Sequence, residues 1–371
     1  PRVEHIPREQ AYGRVLAAPV HADRDLPPFD RAAMDGYAFS HQHLTEPLPV
    51  TGHVAAGDPP IAPVPPSTCV SISTGAALPP GCDTVVPHEQ TDRQDPLRMN
   101  QIPPCGAHVH TRGSDAAHGD VIMMPSTRVG PIEMGIARMV GADTLAVAIP
   151  PHTTLLTTGN EVVQEGEPQS HQIRNSNNAM LTTMIEALGG ELKHTEHLPD
   201  DLNTIRSRLA EVIPTCDVLI TTGGISAGDH DYLPDAFESA GTKWTISGIS
   251  MQPGKPVRVG RCDQTWIVCL PGNPVSAVVT AALILGPLLR NHLGLPITPS
   301  WRPAPLAAPA FGHRTRTRFR PAHLDDRGRV TIPSWQGSGD LVHCAGTHGL
   351  ARIPAGAELH AGDEISWTDW P

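Results

Sequence analysis

TTLLTTGN, residues 153–160, sets a short apolar and β-branched run against a turn at Gly159-Asn160. A run of that length bounded by Gly and Asn predicts a buried strand that ends where a ligand can approach the backbone. Two further runs downstream repeat the pattern. Val218–Thr222 stops at Gly223-Gly224, and Trp266–Leu270 stops at Pro271-Gly272. Helical periodicities fall between and after them. Met180, Leu181, Met184, Ile185 and Leu188 share one face, with Ser176 placed as N-cap and Gly189-Gly190 as the stop. Leu202, Ile205, Leu209 and Val212 share another, capped by Asp200 or Asp201. Helices are also predicted over Asp231–Ser239 and Pro274–Leu293, the latter bent at Gly286-Pro287, with a strand at Leu192–Leu198. Such alternation predicts a parallel sheet with helices on both faces and ligands beyond the carboxyl ends of the strands.

The flanks read differently. Residues 1–149 carry many prolines, short β-like runs (Val70–Ser73, Thr84–Val86, Val121–Met124) and one plausible helix at Ile132–Val140. Residues 296–371 alternate over short segments, such as Arg329–Pro333 and Glu364–Trp367, and predict a small β-barrel behind a linker at Pro299–Pro309. With 371 residues, 40 prolines and 34 glycines, the expectation is a multidomain α/β plus β protein rather than one core.

A net charge of −11 excludes a generic nucleic-acid binder, so any anion must meet a local cluster of amides and basic side chains. The seven cysteines form no CxxC pair, which argues against a zinc site and a disulfide framework. The 20 histidines are scattered, and His41/His43 and His108/His110 read as solvated surface. Val275–Leu289 is too short an apolar run for a membrane span, and the opening residues carry no secretory pattern. A reduced cytoplasmic setting, with no membrane and no nucleic acid, is expected.

Several motifs carry chemistry. Asp35 ends PPFDRAAMD before Gly36-Tyr37, and by itself reads as a turn whose carboxylate satisfies backbone amides. Thr74-Gly75 offers a hydroxyl and an approachable amide after a strand. Glu161 suits Mg²⁺ or a hydroxyl, and Ser176 at a helix start suits a phosphate. The loop Gly223-Gly224-Ile225-Ser226-Ala227-Gly228 is rich in unencumbered amides, and Asp229 and Asp231 follow it with carboxylates for a divalent cation. Lys255 in QPGKP is a point charge for an oxyanion, and Pro271-Gly272-Asn273-Pro274 precedes Ser276 at another helix start. Arg314, Arg316, Arg318 and Arg320 alternate, although a solvated face is expected for most of them, and Gly337-Ser338-Gly339 follows.

Taken together, PPFDRAAMDGYAF, TGAALPPGCDTVVPHEQT, TTGNEVV with IRNSNNAML, TTGGISAGDHDYL, and PGKPVRVG with LPGNPVSAVVT resemble the molybdopterin molybdenumtransferase family, MoeA in bacteria and the gephyrin E domain in animals. The resemblance spans nearly the whole chain. It implies domain I at 1–22 and 118–149 (dimer-forming), a β-rich domain II inserted at 23–117, an α/β molybdopterin-binding domain III at 150–295 and a β-barrel domain IV at 296–371.

It also implies a homodimer that takes adenylated molybdopterin, molybdate and Mg²⁺ to molybdenum cofactor and AMP, with a transient molybdopterin adenylyltransferase partner. Asp35, Thr74, Glu161, Asp201, Asp231 and Lys255 would be catalytic, with Asp200 the alternative to Asp201 and with Glu161 and Asp231 on the metal. Ser176, Gly223, Gly224, Ser226, Gly228, Pro271, Gly272, Asn273, Pro274, Ser276, Arg316 and Ser338 would bind cofactor. One position departs from the family pattern: many relatives carry a basic residue where this chain has Gln252. The competing readings are a molybdopterin adenylyltransferase, which shares the α/β domain alone, and a non-catalytic paralogue or scaffold. The choice between molybdenum and tungsten is open.

Overall fold

Alternate residues of three adjacent strands leave the central sheet on opposite sides, as the twofold repeat of a strand requires. Leu155, Ile220 and Val268 point into one core, whereas Leu156, Leu219 and Ile267 point into the other. The structure, a computed structural model, describes residues 1–225 and 232–370 and divides into two units. One unit comprises Pro1–Glu4 with Ala148–Pro371, and the other His5–Val147.

In the larger unit, the six-stranded sheet runs in the order Glu191–Leu198, His152–Thr158, Val218–Thr222, Thr265–Leu270, Arg258–Cys262, Lys243–Ser247. The first four strands are parallel, as expected. The last two are antiparallel, which the strand–helix reading misses. Asp263, at φ +50°, turns the chain between Cys262 and Thr265 with too few residues for a crossover helix. Arg258 and Arg261 lie 5.7 and 5.5 Å over the Trp244 and Trp266 rings. These edge strands therefore carry charge and lack a plain apolar run.

Helices Ser176–Ala187 and Pro274–Thr280 cover one face, and Leu202–Val212 and Leu233–Ser239 the other. Two helix starts differ from expectation. Asn175, not Ser176, is the N-cap, because its side chain accepts from the Asn178 amide. The fourth helix opens at Leu233, and Asp231 lies outside the described residues.

The expected bend before Gly286-Pro287 is a π turn at Ala281–Leu285, followed by helix Gly286–His292. Pro287 has no N–H to close a normal turn, which accounts for the widening. The segment Pro274–His292 has 19 residues and contains an 18-residue window of mean hydropathy 1.4, enough by length and composition to cross a membrane. The shorter apolar run read from the sequence understates it. Its apolar side is in the sheet's core, against Leu155, Ile220 and Val268.

The C-terminal strands wrap around Trp367, Ile353, Ala322 and Ile365. Their order is Met251–Gln252, Thr317–Leu324, Gly349–Ile353, Glu364–Asp369, Arg302–Pro305. Val330–Thr331 pairs with Thr317–Leu324, and a Leu306–Val330 bridge joins the far end back to it, closing the small barrel. Part of the expected linker is thus a strand. Pro303 and Pro305 are tolerated there because Arg302–Pro305 is the terminal strand of that order.

The smaller unit holds two separate kinds of core. One gathers Ile6, Leu16, Val20 and Leu26 with Met123, Val140 and Leu145, under helix Pro131–Met139. The others are formed by a four-stranded sheet ordered Val50–Val54, Cys69–Ile72, Gly36–Phe39, Thr84–Pro87.

Phe237 is fully buried and meets Trp244 edge-on at 5.8 Å. Phe237→Ala is expected to destabilise the larger unit by about 3–5 kcal/mol, measured by chemical unfolding.

Candidate functional site

Three parallel strands end side by side, and their turns make the floor of a cleft of about 640 Å³. Gly159, Gly223, Gly224 and Gly272 line it with Thr158, Glu161, Ser176, Asn177, Asp200, Asn273 and Pro274. Gly223 has φ +96°, and a β-carbon there would lie 2.8 Å from Thr158 Oγ1 and 2.9 Å from Thr158 O. Only glycine lets these two turns close together. The backbone is consequently presented to the cleft without side chains in the way.

A chain of side chains missed by the motif reading fixes this floor. Asn175 Nδ2 donates to Thr157 Oγ1 at 2.9 Å, and Thr157 Oγ1 meets His197 Nδ1 at 2.9 Å. His197 Nε2 lies 3.1 Å from Gly159 O. Donation is satisfied throughout if Thr157 O–H points to Nδ1 and Nε2–H to the carbonyl. Asn177 Nδ2 donates to Gly272 O at 2.7 Å and to Thr222 Oγ1 at 3.1 Å, tying the second helix to the far turn. The hydroxyl of Thr158 and the carbonyl oxygen of Asn177 are buried with no partner among the described residues. Both belong to residues that line the cleft.

The acidic pair Asp200-Asp201 is divided by hydrogen bonding. Asp201 caps helix Leu202–Val212, accepting from Thr204 N and Thr204 Oγ1, both at 2.7 Å. The Thr204 side chain, then its backbone N–H, hold the Asp201 carboxyl below the usual aspartate range. Asp200 instead lines the cleft, where its Oδ2 accepts from Asn160 N while Asn160 Oδ1 accepts from Asp200 N, at 3.0 and 3.2 Å. This clasp leaves Asp200 and Glu161 as carboxylates on the same cleft. No group of three His, Cys, Asp or Glu side chains is placed to hold a metal among the described residues. Ser226, Gly228 and Asp231 lie outside those residues.

A second cleft, of about 390 Å³, shares Pro256, Pro271 and Asn273 with the first. Lys255, Arg316, Arg318, Ser276, Gln252, Trp335 and Ser338 are also in its lining. Gly254 is required where it stands: φ is +100°, and a β-carbon would lie 2.4 Å from Thr280 Cγ2. Asn273 Nδ2 donates to Ser338 Oγ at 2.9 Å, and Val275 N donates to Ser338 O at 3.0 Å. The barrel loop therefore takes the first N–H of the helix that follows Pro274, an amide expected to face an anion directly.

The alternating arginines do not form one patch. Arg316 and Arg318 reach the cleft. Arg320 lies 4.2 Å over the Trp335 ring and donates to Pro333 O, and burial pushes its guanidinium down to about 10. Of Arg316 and Arg318, the resemblance implies a binding role for Arg316 alone, and Arg318 joins it in lining the cleft. None of Lys255, Arg316 or Arg318 has an ion pair among the described residues. In a chain of net charge −11 this is a cluster of three cationic side chains with no carboxylate partner among the described residues.

In the smaller unit, Asp35 and Thr74 meet because Gly36 pairs opposite Ile72. Asp35 Oδ1 accepts from Thr74 N at 2.7 Å and from Thr74 Oγ1 at 3.1 Å. The Thr74 amide, then its hydroxyl, hold the Asp35 carboxyl below the ordinary aspartate range. The Thr74 hydroxyl is thus engaged by Asp35, and the Gly75 amide donates to Ala32 O at 2.8 Å.

Asp201→Ala is expected to lower the melting temperature by a few degrees at neutral pH. Since its folded pKa is depressed, that stabilisation is present above the ordinary aspartate range and fades as pH falls through the folded value. Melting curves at neutral pH and near pH 3 check this.

Comparison with known proteins adds to this geometry. A family model for the MoeA N-terminal region (domain I and II) matches residues 1–141. A model for a probable molybdopterin binding domain matches 154–291, and one for the MoeA C-terminal region (domain IV) matches 303–370. Molybdopterin molybdenumtransferase 2 of Mycobacterium tuberculosis is 34% identical over 383 residues, covering 98% of this chain and 94% of that protein. The molybdopterin molybdenumtransferase of Synechocystis is 31% identical over 375 residues, covering 97% and 93%. The crystal structure of a molybdopterin biosynthesis MoeA protein from Pyrococcus horikoshii has a TM-score of 0.84 at 29% identity, covering 100% of this chain and 95% of that one. With such identity along almost its entire length, the chain belongs to the MoeA family of molybdopterin molybdenumtransferases.

Proposed function

We propose that the protein inserts molybdate into adenylated molybdopterin, giving molybdenum cofactor and AMP. The observation that carries this reading is the pairing of two clefts with shared walls. The larger one presents bare backbone at its glycine turns, and the smaller one presents Lys255, Arg316 and Arg318 with no ion pair among the described residues. A doubly charged tetrahedral oxyanion fits the smaller cleft, with Ser338 as a neutral donor. The pterin and its pyrophosphate fit the larger one, on Gly223, Gly224, Gly272, Pro271, Pro274 and Ser176; Ser226 and Gly228, outside the described residues, would belong to the same set. Asn273 lines both clefts, and Ser276 lines the smaller one.

Mg²⁺ is commonly held by one or two carboxylates together with substrate phosphates, so Glu161 and Asp200 on one cleft suit it although no all-protein cage exists among the described residues. Glu161, Asp200 and Asp231 would hold the ion, and it would neutralise the pyrophosphate oxygens. The protein's own contribution is positioning and fixed charge: the glycine turns hold one substrate while the three cations hold the other beside it.

We further propose a homodimer, in which Asp35 and Thr74 act as part of the catalytic set. Ile132 and Met139, 72% and 52% exposed on helix Pro131–Met139, supply an apolar surface for a second copy. The two kinds of core in the smaller unit accord with two domains there, which we place at 1–22 with 118–149 (domain I) and 23–117 (domain II), although Leu26 packs in the first core; domains III and IV would occupy 150–295 and 296–371. A cytoplasmic setting accords with seven free cysteines, several of them buried. The adenylyltransferase that makes the adenylated substrate would be a transient partner.

Purified protein incubated with adenylated molybdopterin, Mg²⁺ and molybdate is expected to release AMP in a molybdate-dependent manner and to activate an apo-molybdoenzyme. Lys255→Ala should raise the molybdate concentration needed for half-maximal release by at least about tenfold. Tight pterin binding without molybdate-dependent release would favour a non-catalytic role.

A further inference from the structure

We infer that Gln252 is a positioning residue that holds Arg318 as an oxyanion donor through a neutral hydrogen bond; this rests on the reading of the smaller cleft as the oxyanion site. Gln252 and Arg318 are direct partners in the parallel pairing of Met251–Gln252 with Thr317–Leu324. Their side chains meet: Arg318 Nε donates to Gln252 Oε1 at 3.0 Å. On its other side, Arg318 Nη1 donates to Phe311 O at 2.7 Å. Both residues line the cleft.

The chemistry of these two anchors matters. An arginine can be oriented by a carboxylate, but the carboxylate then cancels the charge that an anion needs. Here both anchors are carbonyl oxygens, so the guanidinium is fixed without being neutralised, and its remaining N–H donors stay available. A lysine at position 252 would offer no acceptor and would set a like charge against Nε. A glutamate would hold Arg318 but annul its charge. Glutamine is the residue that supplies an acceptor of this length with no charge.

The neighbouring arginines show that this geometry is particular to Arg318. Arg320 is stacked on Trp335, and Arg316 Nη2 faces His313 Nε2 at 2.9 Å. Neither is held by two neutral acceptors in this way. Gln252 is absent from the lining of the larger cleft, so its effect should fall on the oxyanion and not on the pterin.

A double-mutant cycle on the full-length protein tests this, with molybdate as the probe, measured by equilibrium dialysis and metal analysis. Gln252→Leu keeps the size and removes the acceptor, and Gln252→Asn withdraws the amide by one methylene. Each is expected to weaken molybdate binding by about tenfold. Neither should weaken it further in an Arg318→Ala background, and affinity for adenylated molybdopterin should stay within about twofold of the parent as the check on folding. Unchanged molybdate affinity in both variants would overturn the role, as would an equal loss with and without Arg318. Failure of the parent protein to bind molybdate would overturn the reading of the cleft itself.

Discussion

A β-carbon at position 223 would collide with the Thr158 hydroxyl and carbonyl at 2.8 and 2.9 Å. That missing atom allows the turns after two neighbouring strands to touch, and most of the site follows from it. Once they touch, Asn177 can span from the second helix to Gly272 and Thr222, and the third turn is drawn into the same floor. Asn175, Thr157 and His197 then fix Gly159 from the opposite side. Most of the polar side chains around the cleft floor are thus engaged by one another, which holds the turns in one arrangement.

The adjoining cleft follows a different rule. Fixed positive charge is costly to gather, and this protein gathers it, with no ion pair among the described residues, at the seam between the α/β segment and the barrel. Half-exposure keeps that cost moderate. The neighbours that orient the cationic groups are carbonyls, amides and an imidazole in place of carboxylates. The seam is itself stitched by the Asn273–Ser338 contact and by the Ser338 carbonyl taking the Val275 amide. Two substrates of different chemistry can therefore meet across a wall made of Pro256, Pro271 and Asn273.

Much of this was legible in the sequence where a single physical pattern decided the outcome. The apolar runs ending in glycine located the parallel strands and the floor of the larger cleft. Side-chain geometry decided the rest and left little trace. Asp200 and Asp201 are adjacent and chemically alike; only the reach to Thr204 makes one a cap and leaves the other on the cleft. Ser176 and Asn175 compete for the same cap, and the longer amide takes it. Arg316, Arg318 and Arg320 look equivalent along a strand, but the position of Trp335 removes Arg320. The antiparallel edge strands were hidden because their arginines lie over tryptophan rings, which breaks the apolar signal of a strand.

The most direct test of the two-cleft account is the position of the oxyanion itself. Crystals of the protein soaked in tungstate, a heavy stand-in for molybdate, would give an anomalous peak wherever the ion binds. The account predicts one strong peak within hydrogen-bonding distance of Lys255, Arg316, Arg318 and Ser338. A fully occupied tungstate elsewhere, with that cleft empty, would contradict it.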